Sequence, residues 1–366
     1  MRLKHEDAGE AAHPVDIGEA FRRRSHREGL RYNTRLPAAR QIGTFPMMGL
    51  WGVLCFAAVL AASFTGQGYW YGGRSFVATL ATFALLLAGM LLFAARGFVE
   101  RFAAAAGAGS AWLLGVGLFL TYFVYALGTG TISFARFGAM AIFIFLPLAI
   151  LATAGNASAG CWQDFFTVAA VWVAVKFGPS HWMWPFPGGR LAYVFTVLVA
   201  VNVAIAGFVI LRRVKGVGYS IGWGSGWTFS IFSSLVLLSC IAIPLGIKMH
   251  FIAFEPRWEQ WKSLPFVALG ILFFTAWPEE LLFRGLLQNM LARASKSEFA
   301  GWWTASLLFG FSHMPNGGFP NWRYAILASI AGFFYGWTWR RTGSIFAAAV
   351  VHATVDVLWH LFFRTL

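Results

Sequence analysis

Between residues 265 and 360 the chain carries acids, imidazoles and a guanidinium where apolar side chains prevail. WPEELLFRG (277–285) sets Glu279, Glu280 and Arg284 inside an apolar stretch. SLLFGFSH (306–313) ends on His313, and HATVD (352–356) holds His352 and Asp356 one helical turn apart. A charged group at mid-bilayer costs at least about 2.5–3.5 kcal/mol, so it is paired, hydrated or protonated, and function is the usual reason to keep it.

Helical spacing sorts these groups. Glu280 and Arg284 stand at i and i+4 with the acid first, the better order for an ion pair. They are expected to neutralise each other as a structural pair. Glu279 is rotated about 100° away and is free to face a polar cavity. Glu279, His313, His352 and Asp356 come from three different apolar stretches. A carboxylate with two imidazoles can bind zinc, with Glu279, His313 and His352 as ligands and an open site for water. Without a metal, Glu279 can act as base on a water steadied by a histidine. Both routes lead to hydrolysis. A proton-coupled transporter is the alternative, because intramembrane Glu, His and Asp also mark proton paths. The crowding of these groups into the last hundred residues, with no sequence repeat, argues against transport.

The elements that position them are membrane helices. The 366 residues are 58% hydrophobic and 11% charged, with a mean hydropathy of +0.65. Soluble domains carry about 25% charged residues. Apolar runs near the ~20 residues that span a bilayer recur along the chain. Eleven transmembrane helices are expected: 45–64, 75–95, 103–127, 137–154, 165–178, 191–211, 227–247, 265–292, 299–317, 322–339 and 344–362. The fold class is thus an all-α polytopic bundle, divided into a tail (1–44), N-terminal helices (45–264) and a C-terminal core (265–366).

The tail holds nine Lys/Arg and six Asp/Glu. It is expected in the cytoplasm, with RRRSHR (22–27) near anionic lipid. The net charge of +14 is spread through tail and loops, which fits positive-inside anchoring in a bilayer rather than nucleic acid. Cys55, Cys161 and Cys240 have no metal-type spacing and are expected as free thiols.

EELLFR, FGFSH and HATVD, in this order, resemble the EExxxR, FxxxH and Hxxx(N/D) motifs of the CPBP family. These are the CAAX prenyl endopeptidases and bacteriocin-processing enzymes, also called Abi proteins. RGLLQNML and AGFFYGWTWRRTGSIFAAAVVH match between the motifs, so the resemblance covers about residues 265–360. It implies an α-helical intramembrane endopeptidase of glutamate type, needing no cofactor, with zinc as the other option. Glu279 is then the catalytic carboxylate and His313 its partner in activating water, with His352 and Asp356 on the oxyanion side. The eukaryotic members carry Asn at the position of Asp356. An ionised carboxylate repels an oxyanion, so Asp356 is expected to orient His352 instead. The implied substrate is a membrane-anchored precursor, either a peptide leader or a C-terminal sorting segment. With no visible signal peptide and a basic tail, the expected location is a prokaryotic plasma membrane.

Overall fold

Long apolar runs fold as helices wherever the chain has no water to hydrogen-bond its backbone. The computed structural model describes residues 40–64, 73–186 and 189–366. Most of the expected tail, including RRRSHR, lies outside the described residues.

Eleven main helices follow in chain order. They are α1 (Thr44–Phe64), α2 (Arg74–Leu92), α3 (Phe98–Thr129), α4 (Phe134–Thr153), α5 (Trp162–Phe177) and α6 (Leu191–Leu211). Then come α7 (Trp227–Lys248), α8 (Leu264–Ser295), α9 (Glu298–Phe311), α10 (Trp322–Thr342) and α11 (Ile345–Phe362). Each expected segment thus contains a helix, and the chain is a helical polytopic bundle. Among the described residues seven helices are long and apolar enough to span a bilayer: α2, α3, α4, α6, α7, α8 and α11. Three of the other four fall short for physical reasons. Helices α5 and α9 have 16 and 14 residues, about 24 and 21 Å against a ~30 Å hydrocarbon core. Helix α10 is long enough but carries Arg323, Arg340 and Arg341.

Short polar residues start the C-terminal helices. The side chains of Ser297, Asn321 and Ser344 accept from Ala300 N, Tyr324 N and Ala347 N, satisfying amides that a helix start leaves bare. Gly343, at φ 65°, ends α10 and turns the chain into α11. Helix α8 is irregular. Wider π turns at Leu272–Ala276 and Leu281–Gln288 flank Trp277–Glu280. Pro278 removes a backbone donor there, and such bulges recur where a helix must re-aim functional side chains.

Two antiparallel strand pairs mark opposite ends of the bundle. Strand β1 (Arg40–Gln41) pairs with β2 (Gly222–Trp223), and β3 (Ile252–Phe254) with β4 (Phe363–Thr365). Helix α8 runs from the β3–β4 end towards Lys215, whose carbonyl accepts from Asn289 and Arg293. Helix α11 runs back, starting where Ile345 N donates to Gly218 O and ending at β4.

Helices α9 and α10 touch through a glycine. A Cβ on Gly310 would overlap the Ser329 hydroxyl and the Ala325 carbonyl. Gly310→Ala is therefore expected to push α9 from α10 and displace His313. A loss of about 1–3 kcal/mol or more is expected, read as a lower unfolding temperature in detergent. Unchanged stability would contradict this packing.

Candidate active site

Helix α8 supplies Glu279, Glu280 and Arg284, the end of α9 supplies His313, and α11 supplies His352 and Asp356. The most buried part is a chain of charged groups. Arg284 Nε lies 3.0 Å from Glu280 Oε2, with both side chains at zero exposure. The approach is close but not aligned for a hydrogen bond, and among the described residues the two terminal nitrogens of Arg284 reach no acceptor. Aromatic faces flank the guanidinium instead: its Cζ stands 4.9 Å from the Phe309 ring centroid and 5.9 Å from that of Tyr335.

Glu280 does more than face Arg284. Its Oε1 lies 2.9 Å from His352 Nδ1. A carboxylate can only accept, so that nitrogen carries the proton. Tyr335 stacks on the imidazole at 4.6 Å and Phe309 meets it edge-on at 5.6 Å. The ring is thus fixed in plane and tautomer, with Nε2 turned towards Glu279 Oε2 at 4.0 Å and Asp356 Oδ2 at 3.6 Å. Both separations exceed a direct hydrogen bond. The sequence suggests Asp356 as the group orienting His352. In the structure Glu280 holds that position, a contact between residues 72 apart.

His313 is held separately. Its Nδ1 lies 2.7 Å from Phe309 O. The carbonyl can only accept, so Nδ1 is the protonated nitrogen and Nε2 keeps its lone pair. Glu279 and His313 line one cavity of about 110 Å³. His352 and Asp356 are not part of its lining; Glu279 links the two groups. Oxygen Oε2 of Glu279 is buried and has no hydrogen-bond partner among the described residues.

Sequence reasoning missed five polar residues of this cavity: Lys176, Tyr193, Thr275, Ser312 and Asn316. One signal was available for Lys176, a lone cation in the apolar stretch 165–178. Tyr193 carries no such mark. Asn316 belongs to MPNGGFPNWR (314–323), a segment whose Gly and Pro suit a turn and which reads as a plain connector rather than a cover. Its Oδ1 accepts from Lys176 Nζ at 2.7 Å, and its carbonyl accepts from Asn321 Nδ2 at 2.9 Å.

The same geometry bears on a zinc site. With Nδ1 of each histidine facing an acceptor, the tautomers suit metal ligation. The positions do not: among the described residues no three His, Cys, Asp or Glu side chains gather closely enough to hold one ion. Among those residues Cys55, Cys161 and Cys240 are free thiols.

Residues 261–358 match the family described as type II CAAX prenyl endopeptidase Rce1-like. The uncharacterized protein YpbD of Bacillus subtilis (strain 168) is 29% identical over 97 residues, 26% of this chain and 45% of that protein. The chain therefore spans less than half the length of this curated relative. No solved structure matches. The matched segment begins just before α8 and ends within α11, and so contains Glu279, His313, His352 and Asp356 on a helical frame: over these residues the chain is similar to the type II CAAX prenyl endopeptidases.

Proposed function

We propose that the protein is an intramembrane endopeptidase that hydrolyses a peptide bond in a membrane-associated precursor. One observation carries this reading: Glu279 and His313 line one cavity, while Glu279 Oε2 stands 4.0 Å from an imidazole that Glu280 holds in place. An oxygen atom about 2.8 Å from each side fits across such a gap.

The reaction follows from these groups. Glu279 takes a proton from a water whose other hydrogen is accepted by His313 Nε2. The water oxygen attacks the scissile carbonyl carbon. Protonated His352 offers Nε2–H to the oxyanion that forms. As the C–N bond breaks, Glu279 returns its proton to the leaving nitrogen. Water is consumed, and one carboxyl and one amino terminus are produced. Glu280 acts by holding His352, and Arg284 offsets the charge of Glu280.

This reading needs no metal. Treatment with 1,10-phenanthroline is expected to change cleavage of membrane-anchored peptides in proteoliposomes by less than about twofold. A zinc enzyme would lose almost all activity and regain it with added zinc. A proton-coupled transporter would instead show flux that depends on Glu279 and no peptide cleavage.

Topology supports one substrate side. His313 follows α9 near the β3–β4 end, where Tyr324 meets Phe251 at 5.4 Å. Strand β1 sits at the other end of the bundle. With the basic tail in the cytoplasm, the cavity faces the outer half of a prokaryotic plasma membrane. That side suits a C-terminal sorting segment better than a cytoplasmic leader.

A further inference from the structure

Lys176 lies outside the family match, in the last turn of α5, yet it lines the same cavity as Glu279 and His313. It is the one lysine or arginine in that lining, and Glu279 is the one acid. The walls around it are otherwise largely apolar: Val171, Val175, Val197, Val201 and Phe274. A lysine at the end of a membrane helix normally extends its ammonium to the headgroup region. This one is half-buried and turned to Asn316 Oδ1 at 2.7 Å. An ammonium has three N–H donors, and among the described residues Asn316 takes one.

Chain direction sets where this charge sits. Helix α5 starts beside α6's end, where Asp164 Oδ1 lies 3.0 Å from Arg212 Nε. Its last turn therefore reaches the β3–β4 end, beside the loop after His313. Lys176 thus stands at the cavity wall between that loop and the apolar interior. A substrate segment lying along the cavity towards Glu279 passes it. From this geometry we infer that Lys176 binds a carboxylate of the substrate, either its C-terminus or an Asp or Glu side chain near the cut. The ammonium forms a charge-assisted hydrogen bond to it, and Asn316 keeps the ammonium aimed into the cavity. Lys176 is then a specificity residue supplied by the N-terminal helices. The inference rests on the endopeptidase reading for its cavity and names the chemistry that the cavity selects.

Binding is measured by fluorescence anisotropy in detergent, in the Glu279→Gln background, so that cleavage does not intervene. The probes are a short labelled apolar peptide with a free C-terminal carboxylate, its C-terminal amide, and the amide carrying one glutamate. At least one carboxylate-bearing probe is expected to bind about tenfold or more tighter than the plain amide. The probe that does so identifies the source of the carboxylate. Lys176→Met removes the preference by weakening only the carboxylate probes, whereas Lys176→Arg keeps it. A lysine that only braced the loop would weaken all three probes alike. Equal binding of all three, no binding of any, or a preference that survives Lys176→Met overturns the inference. Failure of the wild-type protein to hydrolyse peptides would overturn the endopeptidase reading and leave this preference as measured.

Discussion

Glu279→Gln is expected to lower peptide cleavage by about two to four orders of magnitude while leaving the bundle folded. The amide has nearly the shape of the carboxylate but cannot take a proton from water. Glu279 is partly exposed, at 27% of its side chain, and its Oε2 makes no hydrogen bond among the described residues. The substitution therefore breaks no hydrogen bond of that oxygen among the described residues, and the unfolding temperature in detergent should move by only a few degrees. Single-turnover cleavage and a thermal scan on the same sample check both halves. Substantial residual cleavage would remove Glu279 as the base.

The second large effect belongs to Glu280. Its two oxygens face Arg284 and His352, all three side chains being almost fully buried. Glu280→Gln leaves the guanidinium without a counter-charge and loosens the imidazole. Breaking a buried pair this way costs about 3–5 kcal/mol, so both stability and cleavage are expected to fall. Asp356→Asn provides the contrast. Asp356 lies 3.6 Å from His352 Nε2, has 37% side-chain exposure and does not hold the ring. Its activity is expected to stay within about tenfold of wild type. If Asp356→Asn falls as far as Glu279→Gln while Glu280→Gln is mild, the two carboxylates have exchanged roles. Thermal scans and initial rates on the three variants decide this.

The helices were legible because hydrophobic runs of bilayer length have few other solutions. The number that cross was less so. Helix α9 stops at Phe311, where an apolar reading continues through the turn to residue 317. The motif residues were legible as intramembrane charge, but their partners were not. An i, i+4 argument finds Glu280 and Arg284 and stays blind to His352, which comes from another helix. The π turns around Pro278 rotate Glu279 and Glu280 relative to a regular helix, and nothing in residue spacing predicts by how much. Lys176 and Asn316 are 140 residues apart. Their meeting depends on how α5 packs beside the loop after α9, a long-range choice that local pattern does not encode.

The central claim is that Glu279 activates water to cut a peptide bond inside the membrane. The most direct measurement uses purified protein in liposomes with a mixed set of membrane-anchored peptides in ¹⁸O-labelled water, read by mass spectrometry. The account predicts new fragments whose fresh C-terminal carboxyl carries one ¹⁸O with the wild-type protein, and none with Glu279→Gln. The same labelled fragments from both proteins, or none from either, would contradict it.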